Sequence, residues 1–251
     1  MNEEEKMKEI MALFTKSFQK YTSMLFFAKD QRDPNSVFDN GTVFFLNTGT
    51  KKILVTCGHV IQGFLDKKSE VPDIYLGLTG ASGFPPIDIS DFTLIDLDTK
   101  QYDLATFEIP DKLVADLKKE FFMVTNWPPI KPNVGDSIFL LGFPGIHRHT
   151  SSRGLELPIL YYDEIVSSVS SRHFVLSNEN GCRIKHKFKE DLPDFGSLGG
   201  ISGAGAFRLD PEKIDCFSFA GIAYEASDGE NSVLFVHHGE LLNSDGRILR
   251  E

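Results

Sequence analysis

The chain is poor in cysteine, with only Cys57, Cys182 and Cys216 among its 251 residues. Three scattered thiols exclude a disulfide framework and a cysteine-based zinc site. Nor is there any excess of positive charge. Lysine and arginine number 26 against 36 acidic residues, a net charge of −10, whereas a nucleic-acid binder carries a basic face. The same balance argues against docking on an anionic membrane. No apolar run approaches the 18 or so residues that a membrane-spanning helix needs. The N-terminal stretch MNEEEKMKEIMALF lacks a basic n-region, a long apolar core and a small-residue cleavage site. The expectation is therefore a cytoplasmic protein with neither a membrane nor a nucleic-acid partner.

The remaining composition is that of a soluble globular protein, 41% hydrophobic and 25% charged. A chain of this length holds one all-β domain or two small ones. Met7, Ile10, Met11, Phe14, Phe18, Tyr21 and Leu25 recur at three- and four-residue steps, which predicts an amphipathic helix over roughly residues 3–27. After DQRDPNS the period changes. TVFFLNT, KKILVTCG, DIYLGLT, FTLIDLD and LATFEI are short β-rich runs broken by turn signals. DKLVADLKKEFF reads as a short connector and the proline-rich WPPIKPNVGD as a link between two halves. Strand-like runs then resume with SIFLLGF, LPILYYDEIVSSV, HFVLSN, GAFRL, SFAGIAYEA and VLFVHH. Many short strands suggest a sandwich or barrel, here two barrels of about 100 residues each.

The segment GGISGAGAF places Ser202 among Gly199, Gly200, Gly203 and Gly205. Glycine frees the backbone for positive φ and close approach, so the segment reads either as a flexible loop or as a nucleophile beside backbone N–H donors. A base and an orienting acid decide between the two. His59 follows the strand-like ILVTCG, and Asp103 opens the apolar run LATFEI. Each alone reads as structural, the aspartate as a strand-end cap. In chain order, however, the three run His59, Asp103, Ser202.

Here TCGHV, YDLATFEI and GISGAGAF resemble three motifs of the trypsin-like, chymotrypsin-fold serine proteases: T-A-A-H-[VC], D-[IL]-A-[LV] and G-[DNM]-S-G-[GS]-P-[LV]-[FV]. GTVFFL resembles the strand before the histidine, VGDSIFLLGFPG the opening strand of the second barrel in bacterial members, and FAGIAYEAS the strand lining the substrate cleft. The likeness spans roughly residues 38–240. It implies two antiparallel six-stranded β-barrels behind an N-terminal helix (residues 1–30). The protease-like domain would span residues 31–251, with barrels over about 36–115 and 130–242. It further implies a serine endopeptidase acting on a protein or peptide. Ser202 would be the nucleophile, His59 the base, Asp103 its orienting acid, and the N–H groups of Gly200 and Ser202 the oxyanion hole. No metal or organic cofactor is required by that chemistry.

Departures refine the resemblance. Ile201 stands where secreted digestive members carry the aspartate that pairs with a freshly cut N-terminus. Cys57 has no cysteine partner beside the histidine. Both suit an intracellular enzyme resembling bacterial or viral members. Ala204-Gly205 replaces the usual Gly-Pro; proline fixes φ, so its loss loosens the loop, and alanine fits there only at negative φ. By resemblance Gly196 floors the S1 pocket, with Asp194 close by, and Tyr224, Glu225 and Ala226 line its wall. An uncharged floor argues against lysine or arginine at P1 and favours small or medium apolar side chains.

Other features read more plainly. His147 and His149 in HRH lack a third ligand and read as a solvated loop rather than a metal site. His237 and His238 end a strand and read as structural, and CRIKHKFKE as a solvated strand face or a partner contact. An α/β-hydrolase reading would use Ser202, Asp228 and His237. It fails because KEDLPDFGSLGG is no buried strand entering a nucleophile elbow. Two further expectations concern regulation. The N-terminal helix packs on the chain's own barrel or docks a regulatory protein partner, and cleavage awaits a trigger. An inactive protease-like binding or signalling module is the alternative to an enzyme.

Overall fold

The apolar runs that lack alternation turn out to be strands buried on both faces. In the computed structural model, residues 3–30, 36–80, 86–91, 93–145, 149–151, 154–156, 159–177, 199–209, 217–227 and 233–250 are described. The first half is one sheet of β1 (Thr22–Ala28), β2 (Val37–Asn47), β3 (Lys52–Thr56), β4 (Tyr75–Leu78), β5 (Ile87–Asp88), β6 (Leu94–Asp98), β7 (Leu104–Glu108) and β8 (Phe122–Met123). Its path runs β5-β4-β1-β2-β3-β7-β6, and β8 pairs in parallel with β2. Three helices accompany it: α1 (Glu3–Phe18), α2 (Gly58–Glu70) after β3, and α3 (Asp111–Asp116) after β7. Among the described residues this sheet does not close.

The second half does close. β9 (Ser137–Gly142), β12 (Leu160–Val169), β13 (His173–Ser177), β14 (Gly205–Leu209), β15 (Phe217–Ser227) and β16 (Val233–His238) form a six-stranded antiparallel barrel in the order β12-β13-β16-β15-β14-β9. β10 (His149–Ser151) and β11 (Gly154–Glu156) make a separate hairpin. Closure removes the exposed strand edges on which other chains could pair.

β2 shows why the sequence pattern blurs. Val43 and Phe45 point into the core of the first half, whereas Phe44 and Leu46 point into a second core between the halves. A strand with both faces buried reads as a continuous apolar run rather than an alternating one. The same holds for β1, where Leu25 and Phe27 face the first core and Met24 and Phe26 a smaller cluster with Tyr75 and Phe143.

This corrects the N-terminal expectation. The helix predicted to run to about residue 27 ends at Phe18; a short 3₁₀ turn, Gln19–Tyr21, leads into β1. Residues 22–28 lie inside the first sheet, hydrogen-bonded to β2 on one side and β4 on the other. Continuous burial on both faces imitates helical periodicity over seven residues, and Thr22 and the two phenylalanines favour the strand. The α1 side chains Phe14 and Phe18 pack on Phe139 and Phe217 of the second barrel. Self-packing is thus the side of the expectation that the contacts support. Among the described residues no helix is long and apolar enough to cross a membrane.

Candidate active site

His59 does not end the strand that precedes it; it sits in the first turn of α2, with Cys57 at the helix N-cap. Gly58 is required between them, since a Cβ there would lie 2.3 Å from the Asp98 carbonyl oxygen. That tight approach brings the start of α2 against the loop carrying Asp103. The Asp103 carboxylate holds the histidine twice. One oxygen accepts the backbone N–H of His59 at 2.6 Å, and the other lies 2.6 Å from the ring Nδ1. Asp103 has a left-handed backbone, φ 47°, a conformation that aspartate tolerates better than most residues. The neighbouring Asp98 caps this loop by accepting the N–H groups of Lys100, Gln101 and Tyr102.

The carboxylate also sets the electrostatics. The hydrogen bond to Asp103 raises the His59 pKa above the usual 6.5, against the opposing effect of burial. The charges of Asp39 and Glu225 add to the rise.

Ser202 comes from the second half, in the loop leading into β14, and is buried at 8% exposure. β2 of the first half holds that loop. The Thr42 N–H donates to the Ser202 carbonyl at 2.9 Å, and Thr42 Oγ1 donates to the Gly200 carbonyl at 2.8 Å. Thr42 Oγ1 also accepts the Phe143 N–H at 3.1 Å, while Asn40 Nδ2 donates to the Phe143 carbonyl at 2.8 Å. Both polar side chains are buried and held by these bonds. In sequence Asp39-Asn40-Gly41 reads as a turn signal before the strand TVFFLNT; the structure places all three residues inside β2.

The loop is firm without its proline. Ala204 donates its N–H to the Ile201 carbonyl and accepts that of Ala223, each at 2.9 Å. Gly200 and Gly203 take φ of 96° and 97°. A Cβ on Gly200 would lie 2.5 Å from the Phe143 oxygen, and one on Gly203 2.0 Å from the Thr42 oxygen, so no other residue fits either position. Ile201 is buried in the second-half core, where it fills the space left by Gly142. Apolar packing thus anchors the loop. Among the described residues, no hydrogen bond engages the N–H of Gly200 or of Ser202.

The histidine–aspartate pair and the serine meet in one cleft of about 700 Å³ between the halves. The Ser202 hydroxyl donates to the Tyr224 carbonyl at 3.2 Å, and no hydrogen bond joins it to His59 among the described residues. Tyr224, Glu225 and Ala226 line the cleft as expected from their place on β15. Gly196, Asp194, His147, His186, Asp228, Cys182 and Cys216 lie outside the described residues, as do the side chain of His149 and the CRIKHKFKE run. The sequence reading does not place Lys100, Gln101, Tyr102, Arg172, His173 or His237 at the site, yet all six line the cleft. His237 reads in sequence as a structural strand end, and no local motif marks the others.

The donor atoms of Cys57, His59 and Asp103 lie within 4.8 Å of one another, a set that suits a soft divalent ion. Each already has a partner, however. The buried Cys57 thiol donates to the Ala223 carbonyl at 3.2 Å. Burial pushes its pKa well up, and the charge of Asp103 adds to that. Metal binding would have to break both this bond and the His59–Asp103 pair.

No protein-family model and no curated protein sequence matches the chain. Solved structures do match. The protease Anisep from Arthrobacter nicotinovorans superposes with a TM-score of 0.50, covering 87% of this chain and 90% of its own at 11% identity. The fold is the chymotrypsin-like double barrel. Two further structures lie slightly lower: the thermostable serine protease AL20 from an extremophilic microorganism and the serine protease domain of the Sesbania mosaic virus polyprotein. Their TM-scores are 0.49 and 0.47 at 11% and 13% identity, covering 87% and 85% of this chain and 91% and 87% of theirs.

Proposed function

We propose that this chain is a serine endopeptidase. The observation that carries the reading is one shared cleft. It contains a histidine clamped by an aspartate from the first half and a glycine-cradled serine from the second, with two unengaged N–H groups beside the serine among the described residues. Ser202 Oγ attacks the carbonyl carbon of a protein or peptide lying along β15. His59 takes the hydroxyl proton and returns it to the leaving amine, leaving the acyl group on Ser202; a water then attacks that ester with His59 as base, releasing the acid and restoring the hydroxyl. Asp103 fixes the imidazole tautomer through Nδ1 and stabilises the imidazolium. The oxyanion is met by the N–H groups of Gly200 and Ser202; such a donor supplies about 3 kcal/mol of transition-state stabilisation.

The resting serine donates to the Tyr224 carbonyl, which supports a latent state in which the hydroxyl must turn toward His59 before attack. Ile201 in place of a carboxylate supports a trigger other than a newly cut N-terminus. The free, buried Cys57 supports a reducing, cytoplasmic setting. The alternative, an inactive protease-like binding module, rests on the same resting hydrogen bond.

A fluorophosphonate probe separates the two. The folded wild-type protein should label stoichiometrically and Ser202→Ala not at all. An unlabelled, folded wild type rejects the enzyme reading.

The pH profile is a second check. A general base must be neutral to act, and Asp103 holds His59 above its ordinary value. The acid limb of kcat/KM should therefore have its midpoint above 6.5, with activity falling as pH drops through it. Asp103→Asn removes the anionic partner and should move that limb to lower pH. A wild-type limb below the ordinary histidine value would contradict the assignment of His59.

A further inference from the structure

Beyond Ser202 the cleft has a polar wall that the proposed chemistry does not use. It is built from Arg172 just before β13, His173 at its first position, Tyr224 on β15 and His237 on β16. Barrel pairing fixes the set: His237 lies opposite His173 on one side and Ile222 on the other. A register shift between Ala223 and Glu225 leaves Tyr224 out of the regular pairing. There its ring stacks on the His237 imidazole with centroids 3.7 Å apart. The Tyr224 carbonyl accepts the Ser202 hydroxyl, so this pocket adjoins the nucleophile directly.

His237 is the unusual member. It is buried at 5% exposure, yet neither ring nitrogen has a hydrogen-bond partner among the described residues. The Arg172 carbonyl lies near the ring and favours its protonated form, but outside good hydrogen-bond geometry; it accepts the His238 N–H at 3.1 Å. Burial lowers the His237 pKa to about 4, so at neutral pH the ring offers one N–H donor and one acceptor. Buried polar groups are nearly always satisfied. His237 lines the cleft with its ring nitrogens sealed from solvent, so a ligand reaches them when the stacked Tyr224 ring shifts aside.

Resting on the peptidase reading, we propose that Arg172, His173, Tyr224 and His237 form the pocket for the substrate residue before the cut bond. His237 donates to an oxygen at the end of that side chain, that of glutamate or glutamine. Both carry an sp² oxygen acceptor on a stem long enough to pass Tyr224. A lysine or arginine brings a positive charge against Arg172 and cannot accept the His237 N–H. An aliphatic side chain leaves His237 unsatisfied. The Asp103 and Glu225 carboxylates line the same cleft, but Asp103 is paired with His59 and Glu225 is exposed, so the His237 N–H is left for the substrate. The polar wall replaces the apolar P1 preference that the floor position alone suggests.

The test is a set of four peptidyl phosphonates, identical except for glutamate, glutamine, leucine or lysine analogues at P1, with rates of covalent labelling measured. The glutamate or glutamine probe should react at least about tenfold faster than leucine or lysine, since sites built around a hydrogen bond reject analogues lacking it. Glutamate ahead of glutamine means the pocket accepts the charge; the reverse means it binds the neutral amide. Both uphold the proposal. His237→Leu should bring the ratio to leucine down to about one, while His237→Gln, which keeps an N–H donor, retains part of it. Should His237→Leu not fold, the wild-type preference and His237→Gln still decide. A leucine or lysine preference, equal rates, a preference that survives His237→Leu, or labelling by none of the four overturns the inference. If the small fluorophosphonate also fails to label, the peptidase reading itself has failed; if it labels, only this inference has.

Discussion

Ser202→Ala and His59→Ala are each expected to lower kcat/KM for peptide cleavage by about 10⁴-fold or more, and the double variant by no more than either. The reason lies in how the roles depend on one another. Without the hydroxyl, His59 has no proton to accept. Without the imidazole, a neutral hydroxyl faces the carbonyl with nothing to take its proton, because its present partner is the Tyr224 carbonyl. Independent contributions would multiply, whereas a single reacting unit fails once. Neither replacement should disturb folding. The Ser202 hydroxyl donates to the Tyr224 carbonyl at the cleft, and the His59 ring is 53% exposed. Asp103→Asn belongs apart. Its carboxylate also accepts the His59 backbone N–H at the start of α2, so a loss of stability should accompany the loss of rate. Steady-state kinetics and thermal melts on the four variants give the answer. Multiplicative losses, or appreciable peptidase activity in Ser202→Ala, would refute the assignment of these residues to one reacting unit.

The legible part of this site consists of residues whose local backbone is constrained. Gly58, Gly200 and Gly203 leave no room for a Cβ, so the glycines beside His59 and Ser202 stand out in the sequence itself. Residues that act through long-range packing leave no such trace. His237 and His173 meet only because β13 and β16 pair, and Tyr224 covers them because β15 slips its register. No window of sequence contains that arrangement. Thr42 reaches the serine loop across 158 positions, again invisible locally. Helix α2 is hidden for a different reason: the β-rich ILVTCG draws His59 into the strand before it, and VIQGFLDKKSE is too short and too weakly patterned to compete. The antiparallel pairing of the first sheet and the closed barrel also dispose of the α/β-hydrolase alternative, since no parallel central sheet exists among the described residues to carry a nucleophile elbow.

Phe18→Ala should destabilise the protein by about 4 kcal/mol, within the range for truncating a buried phenylalanine. That corresponds to roughly 10 °C in melting temperature for a chain of this size. Phe18 is 5% exposed and is the last residue of α1. Its ring meets Phe139 at 4.5 Å, Phe207 at 4.7 Å and Phe217 at 4.8 Å, from three strands of the second barrel. It also meets Phe122 on the edge of the first sheet at 6.3 Å. One side chain therefore joins the helix, the sheet and the barrel. Close packing on several rigid elements prevents the cavity from collapsing, which places the cost high in the range. Leu13, 62% exposed on the same helix, is the control and should change stability by less than about 0.5 kcal/mol when cut to alanine. The comparison bears on the helix's purpose as well as its energy. Removing residues 1–28 would take β1 out of the middle of the first sheet, so truncation cannot separate regulation from folding, whereas a single ring can. A large loss of stability from Phe18→Ala, with no change in oligomeric state, means that α1 is part of the core. Unchanged melting with an altered mass on light scattering would mean that its apolar face serves another molecule.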